Sequence, residues 1–191
     1  AAAQGILAGI NAALSIRGEE PLVIERSRGY LGVLVDDLVT RGTDEPYRML
    51  TSRCEYRLLL RHDNADRRLA PVARRLGLLD DGRWKVLKAR WAALDGEIDR
   101  LKNTRIRDAG LVETVLGGHD SGSSQPGVTA AELLKRPGVT WEMVARAAPP
   151  PEPLGREITE RAQVEIKYEG YVARQLSQVE RMKRMELVRV P

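Results

Sequence analysis

Arginine is the residue whose type and spacing most clearly suggest chemistry in this chain. From Arg48 to Arg75 the sequence has eight arginines against three acidic residues, a local balance of +5. Arg53, Arg57 and Arg61 recur at every fourth residue, so on a helix they would form one cationic stripe. Guanidinium groups at that spacing either follow phosphates or pair bidentately with carboxylates. Nucleic-acid contact and an exposed, internally ion-paired surface therefore both remain open as interpretations of this segment.

Few other side chains have a spacing that suggests a reactive site. Asp36 and Asp37 are neighbours on a predicted helix, and adjacent helical residues do not converge on one point, so we expect a solvated or ion-paired face. His62 and His119 have no partner at metal-ligand spacing, and we assign neither a role. The single cysteine, Cys54, excludes an internal disulfide and a cysteine-based metal cluster. We interpret it as a partly buried structural thiol and predict no metal site.

Length and composition bound the class of protein. The 191 residues, 42% of them hydrophobic, suffice for one ordinary domain or two small ones. The net charge of +4 suits contact with a polyanion without requiring it. No apolar run reaches the roughly 18 residues of a membrane helix, and no leader precedes the first element. These features predict a cytoplasmic protein with no membrane contact.

The first half of the chain has helical patterns separated by polar connections. Small residues alternate with apolar ones at helical spacing from Ala1 to Leu14. A second helix is predicted over residues 32–42, with apolar and acidic residues on opposite sides and an end at Gly42. Ser52 and Glu55 have the spacing of a capping box, which predicts a helix that begins there and turns three side chains inward. Those side chains are Tyr56, Leu59 and Leu60. A short helix at 71–76 should close at Gly77.

The second half predicts packed helices. Apolar residues from Trp84 to Leu101 are spaced alternately by three and four, the pattern of a helix that packs on another helix. Residues 117–127 have loop composition. Thr129 should cap a short helix, a second should cover 140–148, and 149–153 should form a stiff proline-rich connector. A long helix follows from about 156 to 187, and its polar side carries Lys167 and Arg174 as weaker candidates for RNA contact.

Four segments of the chain resemble proteins of the GidA/MnmG family. They are residues 1–14 (AAAQGILAGINAAL), 29–69 (GYLGVLVDDLVTRGTDEPYRMLTSRCEYRLLLRHDNADRRL), 129–141 (TAAELLKRPGVTW) and 166–175 (IKYEGYVARQ). In that family the first resembles the last helix of the flavin domain, and the second resembles the segment that follows it. The last two resemble a helical connector and the start of the long C-terminal helix. Their order and separation agree with the family, so the resemblance spans essentially the whole chain.

The resemblance implies an enzyme that works with a partner GTPase on tRNA. Such enzymes add a carboxymethylaminomethyl-type group to C5 of the wobble uridine, form homodimers, and use FAD, NADH and a folate one-carbon donor. Here Gln4, with Ala3 and Gly5 beside it, is implied to contact FAD. The catalytic cysteines and the NADH site are implied to lie before Ala1, the folate site outside this chain, and the GTPase-docking region beyond Pro191. This chain is then a fragment without catalytic residues of its own.

The implied fold is mainly α, with a remnant of a flavin-binding α/β domain followed by an all-α helical domain. Residues 1–16 would be the remnant, 17–80 a connecting segment with the arginine-rich helix, and 81–191 the incomplete C-terminal helical domain. Two other interpretations stay open from the residues alone. In the first, the chain is a freestanding helical RNA-binding module with no redox role. In the second, it is a scaffold that uses the Trp84–Leu101 face to dimerise or to dock another protein.

Overall fold

The computed structural model describes residues 2–116 and 127–186, and its elements are predominantly helical. In chain order they are α1 (Ala2–Ile16), α2 (Tyr30–Thr40), a single 3-10 turn (Thr51–Arg53), α3 (Ala65–Arg75), α4 (Asp81–Asn103), β1 (Arg105–Ile106), α5 (Ala109–Leu116), β2 (Val128–Thr129), α6 (Ala130–Leu134), α7 (Trp141–Ala147) and α8 (Arg156–Glu186). The mainly α fold class is confirmed. Of the predicted loop at 117–127, all but Gly127, including His119, lies outside the described residues.

The chain divides into two compact units. The first combines the residues up to Trp84 with those from Tyr171 onward, and the second runs from Lys85 to Gly170. Helices α4 and α8 therefore each contribute residues to both units. This division describes packing, whereas the functional division at 1–16, 17–80 and 81–191 stays a prediction.

The core of the first unit forms around α2 and the segment after it. Val33, Cys54, Tyr56, Leu59 and Leu60 form one buried cluster, against which Tyr30, Met49, Val172 and Val179 pack. Three of these were predicted to point inward, and the predicted thiol is fully buried at 2% exposure. Helix α2 ends as expected, because Gly42 takes a left-handed conformation with a φ of 66° just after it.

The predicted helix starting at Ser52 is wrong. Only Thr51–Arg53 form a helical turn, and at Cys54 the backbone is extended, with φ −95° and ψ 114°. A capping box needs the Glu55 carboxylate to reach back to the Ser52 backbone, but that carboxylate instead accepts two hydrogen bonds from Arg26. A tertiary interaction has therefore replaced the local one, and the every-fourth-residue arginine stripe does not exist.

Helix α3 begins at Ala65, six residues before the predicted start at Pro71. Proline is common in the first turn of a helix, which favoured the later start. In the structure Pro71 lies inside the helix, where the ring removes one backbone hydrogen bond without ending it. The predicted end is confirmed, since Gly77 has a φ of 75°.

The second unit is built as the helical spacing predicts. Leu94 and Leu101 of α4 are 1% and 0% exposed, and Leu101 joins a core with residues of α5, α6, α7 and α8. Thr129 forms the predicted capping box with Glu132. Strands β1 and β2 pair antiparallel, with Arg105 opposite Thr129. Two residues per strand are too few for a period-two pattern, so the sequence did not indicate them.

Candidate nucleic-acid interface

The arginine-rich segment is fixed to α2 by Arg26. Its Nε and Nη2 donate to the two Glu55 oxygens at 2.8 and 2.9 Å, and its Nη1 donates to Asp36 at 2.9 Å and Asp37 at 2.8 Å. Its Nη2 also donates to the carbonyl oxygen of Arg53 at 3.0 Å. Hydrogen bonds to Glu55 raise the pKa of Arg26 and hydrogen bonds from Arg26 lower the pKa of Glu55. Sequence reasoning missed Arg26, because it lies in a polar connection with no periodic pattern.

Asp37 is the buried member of this network. It is 2% exposed, and it accepts a hydrogen bond from the Tyr47 hydroxyl at 2.8 Å in addition to the one from Arg26. Burial by itself raises the pKa of Asp37, but the hydrogen bonds from Arg26 and Tyr47 and the charge of Arg26 outweigh it, so the net pKa is lowered. The acidic side of α2 is thus ion-paired, as predicted. Of the two predicted alternatives, solvated or ion-paired, Asp37 is therefore ion-paired, whereas Val39, on the apolar side of the predicted helix, is 79% exposed.

Two of the predicted RNA-contacting arginines form ion pairs within the first unit, while Arg57, among the described residues, donates only to the carbonyl oxygen of Cys54, at 3.4 Å. Arg53 lies 3.4 Å from Asp37, with its guanidinium carbon 5.4 Å from the ring centroid of Tyr47. Arg61 donates to both oxygens of Asp63, at 2.9 and 3.0 Å, and to the carbonyl oxygen of Leu58 at 3.0 Å. Both guanidinium groups therefore contribute to holding the segment in place.

Lys167 belongs to the second unit. Its ammonium group donates to the carbonyl oxygen of Val139 at 2.6 Å. This bond stabilises the chain between α6 and α7. The four predicted arginines belong to the first unit.

Gln175, the residue after Arg174, joins helix α8 to the segment that contains Arg57. The Gln175 side-chain oxygen accepts from the backbone N–H of Leu59 at 3.2 Å, and its nitrogen donates to the carbonyl oxygen of Glu55 at 3.3 Å. These two bonds flank Arg57, so α8 lies against the backbone on both sides of it. Both arginines are exposed, and none of the ion pairs among the described residues involves either of them. We call this pair the cationic patch.

Helix α1 carries the residues implied to contact FAD. Ala3, Gln4 and Gly5 are all exposed, and a Cβ added at Gly5 would have no atom within 4 Å in the described part of the chain. The first turn has no acidic side chain. Its backbone N–H groups can therefore face an electron-rich group without competition from a carboxylate, so these residues fit the pyrimidine edge of a flavin.

Among residues 2–116 and 127–186, no group of three or more His, Cys, Asp or Glu residues is arranged to hold a metal ion. No helix in the same ranges is both long and apolar enough to cross a membrane.

Comparisons with known proteins agree with one another. Residues 81–176 match the family described as the tRNA modifying enzyme MnmG/GidA C-terminal helical domain. The chain is 47% identical to proteins named tRNA uridine 5-carboxymethylaminomethyl modification enzyme MnmG from Enterococcus faecalis and Listeria monocytogenes, over 100% of its own length and 30% of theirs. A crystal structure of Aquifex aeolicus GidA superimposes with a TM-score of 0.83 at 35% identity, again over 100% of this chain and 30% of that one. The chain thus spans less than a third of the length of the relatives it matches.

Proposed function

This chain belongs to the MnmG/GidA family of tRNA-modifying enzymes, and from that premise we propose that it forms part of an FAD-dependent enzyme that modifies the wobble uridine of certain tRNAs. With a GTPase partner, the whole enzyme adds a carboxymethylaminomethyl-type group to C5 of that uridine. The observation that carries the proposal is 47% identity along the entire chain to relatives named for this modification. The reaction takes place in the cytoplasm, on a homodimer, without membrane contact.

The role of this chain in that enzyme is to hold tRNA and to support the flavin site. The cationic patch of Arg57 and Arg174 supplies exposed positive charge for phosphates. Arg53, Arg61 and Lys167 complete the proposed RNA-facing set, with part of their hydrogen-bonding capacity directed to the protein. The exposure and lack of ion pairing of the patch support this assignment.

Helix α1 faces the flavin in this proposal, through Gln4 with Ala3 and Gly5. Bound FAD supplies the redox chemistry, and the helix supplies N–H groups and a surface without bulky side chains. The NADH and folate sites, the catalytic residues and the GTPase-docking region belong to other parts of the enzyme. We therefore expect the 191-residue chain alone to retain little FAD and to show no turnover. A purified chain that kept stoichiometric yellow flavin would contradict this division of labour.

A chimera tests the proposed activity directly. In the Enterococcus faecalis relative, the matching 30% is replaced by this chain and the product is expressed in cells that lack their own enzyme. Mass spectrometry of tRNA nucleosides should then detect the carboxymethylaminomethyl modification. A chimera that is soluble and carries FAD, yet leaves the wobble uridine unmodified, would refute the proposal.

The RNA-facing role has its own test in the isolated chain. We expect tRNA affinity to fall steeply with salt, and each of Arg57→Ala and Arg174→Ala to reduce the slope of log K against log salt by about 0.7–0.9. Arg83 offers a matched control, because it is exposed but paired with Asp80. Arg83→Ala should leave the slope nearly unchanged. Equal effects at all three positions would mean that the patch has no special role.

A further inference from the structure

Next to the cationic patch, helix α8 carries an exposed aromatic ring held by an arginine. The guanidinium carbon of Arg174 lies 5.3 Å from the ring centroid of Tyr171. The two residues are three apart on the helix, which places their side chains side by side. Even with the arginine in contact, Tyr171 is 55% exposed. A planar apolar surface with a cation on it is thus open to solvent.

The rest of this stretch of α8 fixes the pair in place. Val172 and Val179 pack against the core of the first unit, and Gln175 is hydrogen-bonded to the backbone at Glu55 and Leu59. With these residues facing inward, the helical period turns Tyr171 and Arg174 outward. The pair therefore sits on a rigid, continuous helix and not on a loop, so little side-chain order has to be gained when a ligand binds.

We propose that Tyr171 and Arg174 form a stacking site for an unpaired nucleobase, with the neighbouring Arg57 binding the adjoining phosphate. This inference rests on the proposed function and assigns part of the RNA to a specific surface. Aromatic rings and guanidinium planes on protein surfaces bind bases that are out of the helical stack, whereas paired bases present only their edges. The site therefore selects single-stranded RNA, such as a loop, over duplex.

The charges around the pair favour RNA over a protein partner. Arg174 lies on the ring, Arg57 belongs to the segment that Gln175 joins to this helix, and among the described ion pairs neither arginine is neutralised by a carboxylate. A protein-binding aromatic residue is more often surrounded by apolar area that becomes fully buried in the interface. A base with its phosphate supplies both a flat apolar face and a negative charge, and it matches this combination.

The test uses the complete chain with three probes, namely tRNA, a single-stranded RNA oligonucleotide and an RNA duplex of equal length. Tyr171→Leu removes the ring but keeps an apolar side chain, while Tyr171→Phe keeps the ring. We expect Tyr171→Leu to weaken single-strand binding by about 5- to 100-fold without changing the salt slope, because no charge is lost. Tyr171→Phe should stay within about twofold, and duplex affinity should not respond to either change.

Different failures of this experiment have different meanings. If the unchanged chain binds tRNA but Tyr171→Leu binds the single strand equally well, the stacking site is refuted and the proposed RNA-facing role survives. Tyr171 and Arg174 would then be assigned to a protein-binding surface instead. If Tyr171→Phe loses as much as Tyr171→Leu, the hydroxyl group and not the ring is responsible, and stacking is refuted as well. A chain that binds no RNA at all refutes both proposals.

A measurement on the unsubstituted chain guards against a folding defect in the variants. A single strand containing 4-thiouridine is crosslinked by light, and the modified peptide is identified by mass spectrometry. Attachment at or next to Tyr171 supports the site. Crosslinks confined to other segments overturn it.

Discussion

At the scale of single residues, one arginine organises the first unit. The five N–H donors of Arg26 are directed to Asp36, Asp37, two Glu55 oxygens and the Arg53 carbonyl oxygen. A rigid planar guanidinium can satisfy such a set, whereas an ammonium group on a flexible stem cannot reach it. The conformation of the segment that carries Arg57 therefore depends on a residue about thirty positions earlier.

Asp37 offers a sharp test of this network. Asp37→Asn leaves the half-buried Tyr47 and Arg26 with a weaker acceptor at a buried position, and we expect it to lower the free energy of unfolding by about 3 kcal/mol. Asp36→Asn is the matched control, since the neighbouring side chain also accepts from Arg26 but is 45% exposed. It should cost less than about 1 kcal/mol. Urea denaturation followed by circular dichroism measures both, and equal losses would show that burial of Asp37 is unimportant.

Ion-paired carboxylates of the first unit make the free energy of unfolding depend on pH. Hydrogen bonds from Arg26 lower the pKa of Glu55, and a hydrogen bond from Lys183 lowers the pKa of Glu25. The pKa of Asp37 is also lowered, because its hydrogen bonds outweigh the effect of burial. A carboxyl whose pKa is lowered by folding contributes fully above its unfolded pKa, and the contribution is lost as pH falls through the folded pKa. The ordinary values are 3.8 for aspartate and 4.5 for glutamate.

We therefore expect the free energy of unfolding to be nearly constant from neutral pH to about 5 and to fall progressively below about 4.5. Denaturant titrations at a series of pH values measure this. In Asp37→Asn the decline should be shallower, because one of the contributing carboxyls has been removed. A wild-type stability that does not change down to about pH 3 would contradict the assignment of these ion pairs.

At the scale of elements, α2 packs unusually close to the chain before it. A Cβ at Gly32 would lie well inside contact distance of the carbonyl oxygens of Ile24 and Glu25, which are backbone atoms that cannot rotate away. The sequence pattern places Gly32 in a helix, where alanine is ordinarily the better residue. The tertiary contact reverses that preference.

Gly32→Ala should consequently destabilise the protein by about 2 kcal/mol or more, by forcing α2 away from residues 24–25. Gly96, in the middle of α4, is the control because a Cβ there would meet nothing within 4 Å in the described residues. Gly96→Ala should instead stabilise by about 0.5–1 kcal/mol. Thermal unfolding of the two variants gives the comparison, and a neutral Gly32→Ala would show that the close approach is absent.

At the scale of the whole molecule, helices α1 and α6 differ in how fully they are buried. In α1 only Leu14 is buried, and the helix is joined to the chain after it by two hydrogen bonds between Asn11 and Leu22. In the second unit, α6 has four of its five residues buried. A helix with so little buried surface gains little stability from packing.

Hydrogen exchange should separate these regions. In the isolated chain, we expect amides of α1 to open with a free energy near zero, whereas those of α6 and α7 should approach the global value of about 5 kcal/mol or more. Mass spectrometry of peptides from deuterated chain measures both in one sample. Protection of α1 equal to that of α6 would show that this helix does not need a covering partner.

Whether an element could be predicted depended on how far apart in the sequence its interacting residues lie. The helical period located α1, α2, α4, α7 and α8, and the Thr129 cap located α6, because these depend on residues three or four apart. The pattern failed where a distant side chain took over, as Arg26 did with Glu55. No helix was predicted at α5, and the two-residue strands of the β1–β2 pair are too short for a periodic pattern.

The helical class, the family resemblance and the basic residues available for RNA follow from the order of the amino acids alone. Which of those basic residues are exposed and which are ion-paired depends on the folded chain. Gln175 joins the helix of Arg174 to the segment of Arg57 through backbone groups 116 and 120 positions away, and Arg53 and Arg61 bind carboxylates of their own unit. Helix formation depends on contacts within one turn, which a linear pattern records. Ion pairing and exposure depend on contacts between distant segments, which exist only once the chain has folded.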